Sequence, residues 1–317
     1  MKTTRYGFLA AACSAVVLEP LAGRSQGLLS LRIATLPLDA GSQVYYAQEL
    51  GIFRRYGLEA SVQSFSNGPA VTAAVASGAI DIGYSNMLSI EAAHQRGIPI
   101  VAVAPAALYD DAAPTTVLIV PKDSPIQSAR DLNGKTIGVN GLRNIAEFAP
   151  DAWIDKNGGS SSTVKYVEVP IPATAAALAQ HRIDAAVCPE PELSEALGAN
   201  RVLGKVFGAI AQRFLIGAWF TSTAWANAHP QTVRAFAAAM RDTAVWANTH
   251  QKESARILAR SIGVDPQVFT RATRARFAEV LTPGLIQPTI DVAAKYGLLT
   301  GSFPAREIIY QEVGRAQ

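Results

Sequence analysis

Ser77-Gly78-Ala79-Ile80-Asp81-Ile82-Gly83 and His181-Arg182-Ile183-Asp184-Ala185-Ala186-Val187 follow one plan: a helix end, a tight turn, Ile-Asp, then a buried strand. The two Ile-Asp pairs lie 103 residues apart, and an offset of 105 relates Leu31, at the head of an earlier strand, to Thr136. One Ile-Asp ahead of a strand is a common accident. Two, at nearly one offset and in matching order, point to a pair of similar lobes.

Working outward, the first half predicts strands over 31–35, 60–65, 80–84 and 100–104, with helices over 42–50, 70–77 and 85–96 ended by Gly51, Gly78 and Gly97. The second half repeats the order, with strands over 135–140, 164–168 and 183–188 and helices over 144–156 and 173–180. Short apolar strands alternating with helices imply α/β lobes with crossover connections. Ala113-Pro114, ahead of a strand over 115–120, and a strand over 214–220 running into Thr221-Ser222-Thr223 are the expected hinge crossings. Beyond them Val233, Phe236, Met240 and Ala244 fall on one face of a helix starting near Pro230, which packs back on the first lobe. The expected organisation is a leader over 1–27, the first part of lobe I over 28–114, lobe II over 115–220 and a helical completion of lobe I over 221–317.

With 317 residues, 49% hydrophobic and 17% charged, the chain has enough apolar material for one or two cores. Lys2 and Arg5 precede an apolar run over 8–18 and small residues over 22–27, the pattern of a secretory leader cleaved near Ser25-Gln26-Gly27. The run is too short to span a bilayer, and Cys13 stands too early for a lipid anchor. Loss of 1–27 leaves 25 basic and 24 acidic residues, a net charge of +1 that carries no nucleic-acid signal. Only Cys188 remains, so no intrachain disulfide is expected.

A second group of residues sits on this frame. It comprises Tyr46-Ala47-Gln48-Glu49-Leu50-Gly51-Ile52-Phe53, Tyr56-Gly57-Leu58, the first Ile-Asp phrase, Asp131-Leu132-Asn133-Gly134-Lys135-Thr136-Ile137-Gly138-Val139 and Pro189-Glu190-Pro191. In this order the chain over 31–239 resembles periplasmic substrate-binding proteins of ABC importers, the nitrate/sulfonate/taurine and thiamine-precursor (NMT1/THI5-like) group. The resemblance implies a type II periplasmic binding fold of two mixed-sheet lobes. It also implies a ligand held in the interlobe cleft and delivery to an ABC permease coupled to an ATPase. The expected role is a monomeric periplasmic solute-binding component without cofactor or metal, not an enzyme, that captures a small organic anion such as a sulfonate or carboxylate. The alternative is a pyrimidine or thiamine-precursor binder, or a synthase of the same family.

In open α/β sheets ligands collect at the carboxyl ends of strands, where helix N-termini carry unpaired amides and partial positive charge. Those ends hold Leu38, Asp39, Gly41, Ser42 and Gln43, then Phe65 and Asn67, then Ser85 and Asn86. In the second lobe they hold Gly141, Arg143, Asn144 and Glu190. Arg143, in a turn before a helix, is the expected charged anchor, while Ser42, Ser85 and Asn86 combine N-capping with hydrogen bonding to a ligand. Tyr45, Tyr84, Tyr109 and Trp219, with Phe65, are expected apolar walls, and Glu190 an acceptor for an amine or hydroxyl.

Other classes fit less well. His94, His181, His229 and His250 lack metal-ligand spacing, and His181 with Cys188 has no third group to orient a nucleophile. No Walker A loop, Gly-x-Ser-x-Gly elbow or Gly-x-Gly-x-x-Gly follows a strand. The cysteine-dense segment expected of a pyrimidine-precursor synthase is missing, and residues 1–30 cannot build the helix-turn-helix of a transcription regulator.

Overall fold

The computed structural model describes residue 1 and residues 27–314, so Cys13 and residues 2–26 of the expected leader lie outside the described residues. The strands in the first part of the chain are β1 (Leu29–Thr35), β2 (Leu58–Ser64), β3 (Ile82–Asn86), β4 (Ile100–Pro105), β5 (Ala107–Asp110) and β6 (Thr116–Pro121). They continue with β7 (Thr136–Val139), β8 (Lys165–Glu168), β9 (Ala185–Pro189) and β10 (Asn200–Gly204). The last three are β11 (Arg213–Leu215), β12 (Gly217–Ser222) and β13 (Arg276–Phe277).

Lobe I is built on a sheet in the order β2-β1-β3-β12-β4, and lobe II on a sheet in the order β10-β6-β9-β7-β8. Each is mixed. In lobe I, β1 runs parallel to β2 and β3 while β12 opposes β3 and β4. In lobe II, β7 runs parallel to β8 and β9 while β6 opposes β9 and β10. A small antiparallel sheet, β11-β5-β13, includes the strands that flank both crossings. The fold is thus the two-lobed α/β arrangement that the repeated phrase implies.

The Ile-Asp repeat has a physical purpose. Asp81 accepts the backbone N–H of Arg32 at 2.8 Å and Asp184 accepts that of Thr136 at 2.8 Å, so one carboxylate fastens β1 to β3 and the other β7 to β9. The aspartates also donate their own N–H groups to the carbonyls of the same partners, at 3.0 and 2.9 Å. Ile80 and Ile183 are buried just ahead of them. Because the aspartates serve as anchors, β3 and β9 each begin two residues past the sequence-based strand starts.

The second crossing differs from expectation. The strand expected over 214–220 is two strands, β11 and β12, broken at Ile216, whose N–H donates to the Ala107 carbonyl at 2.9 Å. β12 lies inside the lobe I sheet, so the chain has returned to lobe I by residue 217, ahead of the boundary drawn at 220. The crossings are residues 111–115 and 205–212.

The long helix Pro230–Thr249 buries Val233, Phe236, Met240 and Ala244 completely. Phe236 stacks on Phe53 of lobe I at 6.1 Å and meets the edge of Trp219 at 5.7 Å. Val117, Ile119, Leu178, Ile183, Cys188 and Leu193 form a separate small core in lobe II. Among the described residues no helix is long and apolar enough to cross a membrane.

Candidate functional site

The carboxyl ends of β1 and β3 face those of β7 and β9 across a cavity of about 580 Å³ of empty space. Part of that space is open to solvent, and the remainder has room for one small solute. Lobe I contributes Leu36, Leu38, Asp39 and Ala40 after β1, Tyr84 and Asn86 at the end of β3, and Ile216 before β12. Lobe II and the crossings contribute Thr115 and Thr116, Asn140 after β7, and Asn144, Ile145 and Ala146 at a helix start. Val187, Pro189, Glu190 and Phe207 complete the wall.

Two helices of useful length begin at this cavity, each with an asparagine cap. Asn86 accepts the N–H of Ser89 at 3.1 Å at the head of Met87–Gln95, and Asn144 accepts that of Ala146 at 2.8 Å at the head of Ile145–Lys156. A third capped helix, Gly68–Ala76, starts nearby, with Asn67 accepting from Ala70 at 3.0 Å. Asn67 lies against Gly141 of lobe II: a Cβ on that glycine would come within 3.3 Å of Asn67 Cβ and 2.8 Å of Asn144 Nδ2. The rim of the cleft is therefore closed, and Gly141 has no room for a side chain.

Two carboxylates face the cavity in different electrostatic settings. Asp39, 1% exposed, receives two bonds from the Arg274 guanidinium, at 3.0 and 2.8 Å, and one from the Ala275 N–H at 2.6 Å. Arg274 is itself saturated by the Tyr46 hydroxyl at 2.8 Å, the Gln251 carbonyl at 2.9 Å and Ser254, and it covers the Phe269 ring at 5.0 Å. Burial opposes its charge, but Asp39 outweighs that and holds its pKa above the usual arginine value.

Glu190, 3% exposed, has no basic partner among the ion pairs of the described residues. It accepts the Ser194 N–H and hydroxyl at 3.1 and 3.0 Å and the Thr273 N–H, from the segment that carries Arg274, at 3.3 Å. Burial pushes its carboxyl up to about 7, and the charge of Asp39 adds to the rise against those hydrogen bonds. The Asp39 N–H also donates to the Glu190 carbonyl at 3.2 Å, so backbone and side chain of Glu190 both tie the lobes together.

The expected site residues divide cleanly. Leu38, Asp39, Asn86, Asn144 and Glu190 line the cavity. Asn67 and Gly141 meet at its rim. Ser85 is fully buried beside Gly68, and its hydroxyl lacks a hydrogen-bond partner among the described residues. Gly41 is packed against Thr35 and the Leu36 carbonyl, off the cavity wall. Ser42 is buried and does not cap its helix, since its hydroxyl turns back to the Asp39 carbonyl at 2.6 Å. Gln43 and Trp219 belong to the core, the indole N–H donating to the Gln43 side-chain oxygen at 2.8 Å. Phe65 is a partly buried residue packed on the lobe I core. Tyr109, 1% exposed, supports the crossing by donating to Asp111 at 2.8 Å and packing on Phe207 and Phe214.

Arg143 does not line the cavity. It is exposed in a left-handed turn (φ 55°), its N–H bonded to Glu147, and no lysine, arginine or histidine stands among the lining residues. The cation that does shape the region is Arg274, acting from behind Asp39. Nothing in the local sequence marks it, because it lies 235 residues from its partner. Cys188 is buried in the lobe II core, with its thiol pKa raised by burial and then by Glu192 and Glu190, and His181 sits in a left-handed turn (φ 52°).

The family described as NMT1/THI5 like matches residues 41–254. A curated relative is the 4-amino-5-hydroxymethyl-2-methylpyrimidine phosphate synthase of Schizosaccharomyces pombe, 34% identical over 98 residues that make up 31% of this chain and 27% of that protein. The chain thus spans about a quarter of that relative's length. Among solved structures, the alkanesulfonate-binding protein SsuA of Xanthomonas axonopodis pv. citri, bound to MOPS, superposes with a TM-score of 0.73 at 20% identity, over 90% of this chain and 99% of that one. A ligand-binding component of an ABC-type import system from Staphylococcus aureus, with zinc bound, gives 0.77 at 15% identity over 90% and 98%. The desulfurization enzyme DSZB gives 0.64 at 16% identity over 91% and 100%. These likenesses establish the type II periplasmic binding fold, which hosts both binding proteins and an enzyme.

Proposed function

We propose, from the premise that this chain belongs to the NMT1/THI5-like family, that it is the solute-binding component of an ABC importer, acting in the periplasm. It closes two lobes on a small solute and presents the closed complex to a membrane permease served by an ATPase. The observation that carries this reading is the cavity walled by strand ends from both lobes, which two chain crossings join. A solute touching both walls favours the closed arrangement by its differential affinity for it, and that change of shape is the signal a permease reads.

The likeness to a sulfonate-binding protein supports a small organic anion as the cargo, with the two asparagine-capped helix starts offering partial positive charge to an acidic group. A second reading, a neutral pyrimidine-like solute, draws on the synthase relatives and on a cavity wall without basic side chains. Neither reading needs a catalytic group. Cys188 is buried and neutral, away from any orienting base, and among the described residues no three His, Cys, Asp or Glu side chains converge as a metal site.

The test is a thermal-shift screen of sulfonates, nitrate, carboxylates, amides and pyrimidines, followed by small-angle X-ray scattering with each hit. A binding component gains melting temperature with its solute and contracts in scattering, and mass spectrometry recovers the solute unchanged. Conversion of the solute without a partner protein would refute the reading.

A further inference from the structure

Resting on the solute-binding reading, and choosing its neutral-solute form over the organic anion, we infer that Glu190 sets the ligand class: the cavity selects a small uncharged or cationic solute that presents a hydrogen-bond donor, such as an amide, amidine or amine, and rejects acids.

Three observations carry this. First, the charges on the wall are unequal. Asp39 is matched by Arg274, whose other donors are already occupied, whereas Glu190 is nine-tenths buried with no cation beside it. A second acid brought into this closed space would meet an unmatched carboxyl, with little water to screen the repulsion.

Second, Glu190 has acceptor capacity left. A carboxylate offers about four lone-pair sites. Three hydrogen bonds are seen, two to Oε1 and one to Oε2, so the cavity-facing group is short of one donor. A ligand N–H completes the set.

Third, the remaining polar groups are neutral and two-sided. Asn86, Asn140 and Asn144 are amides, and Thr115 and Thr116 bear hydroxyls, all able to donate to a ligand carbonyl or ring nitrogen. Tyr84 and Phe207 provide flat apolar surface between the polar groups, suited to a planar body. The charge that acts on Glu190 is that of Asp39, whose own cation is Arg274; Glu192, two residues on, has its carboxyl pushed up to about 7 by burial and then by Glu195.

The experiment uses matched pairs, benzamidine against benzoate and nicotinamide against nicotinate, titrated calorimetrically into the wild-type protein and Glu190→Gln. The expected result is a Kd at least about tenfold lower for the donor member of each pair, and a loss of about tenfold or more of that preference in E190Q. Should E190Q fail to fold, Ser194→Ala removes one internal donor to Glu190 and is expected to sharpen the preference for benzamidine. Preference for the acids, no binding by any of the four, or a ratio unchanged by these substitutions would overturn the inference. Failure of the underlying reading looks different: turnover of a solute, or no contraction in scattering with any solute that binds.

Discussion

Replacing Arg274 with methionine tests whether the ion pair behind the cavity wall holds the site in shape. The substitution keeps much of the side-chain volume but strips Asp39 of its two guanidinium bonds, leaving the carboxylate, 1% exposed, with only the Ala275 N–H. It also removes bonds to Tyr46, Gln251 and Ser254 and the cover over Phe269. Removing one partner of a buried pair costs about 3–5 kcal/mol, far more than a surface bridge at about 0–1 kcal/mol. Urea unfolding followed by tryptophan fluorescence should show the midpoint falling accordingly. The double variant Asp39→Ala with Arg274→Met should lose less than the sum of the two single losses, by about 1.5 kcal/mol or more. A single-variant loss under about 1 kcal/mol, or strict additivity, would refute the view that Asp39 is a charge-matched structural residue.

Three other outcomes follow. Glu91 is fully buried against Thr289 with one oxygen unpartnered, and burial, then Asp291, pushes its carboxyl up to about 8. The native state keeps a proton that the unfolded chain releases near its ordinary value of 4.5, so stability falls by up to about 1.4 kcal/mol per pH unit as pH rises between those values; in Glu91→Gln, melting temperatures measured from pH 5 to 8 should lose that slope. Asp81→Ala should destabilise by about 1–3 kcal/mol and by more than Asp184→Ala, because the Asp81 side chain is 10% exposed against 40% and binds Arg32 through both backbone and guanidinium; equal losses in chemical denaturation would contradict the ranking. Since the Glu190 carboxyl sits near 7, with Asp39 and Glu192 as its acidic neighbours and Arg274 engaged by Asp39, benzamidine should bind more tightly at pH 8 than at pH 6, and a flat calorimetric profile would count against it.

What could be read from the sequence was local. Asn67, Asn86 and Asn144 stand just before apolar periodic runs, and a cap acts within three residues of itself, so their helix starts and two of the cavity's amides were visible in advance. The Ile-Asp phrases were legible for the same reason. Direction and long-range pairing were not. Trp219 has the residue type of a ligand wall, but β12 inserts in the middle of the lobe I sheet, where both faces are covered, and the indole is fully buried. Arg143 has the charge and turn position of an anchor, yet its side chain points to solvent, a choice that spacing does not determine. Phe207 and Ile216 reach the wall because the crossings bring distant strands together, whereas Tyr84, at the end of β3, was an expected wall residue that does line the cavity. Arg274 takes its place only through a carboxylate at the other end of lobe I's discontinuous chain.

On the proposed solute-binding function, the two acids on the wall would couple occupancy to closure. Asp39 is committed within lobe I, so its contribution is the same whether the cleft is open or shut, apart from one N–H given to the Glu190 carbonyl. Glu190 belongs to lobe II but takes the Thr273 N–H from the far side. Each of these interlobe bonds contributes only about 0.5–1.5 kcal/mol. A donor from the ligand adds to the same carboxylate that accepts from Thr273, so it favours the ionised acceptor and with it the bond across the cleft. Occupancy and closure then strengthen each other through one side chain, and a solute that ignored Glu190 would bind without drawing the lobes together.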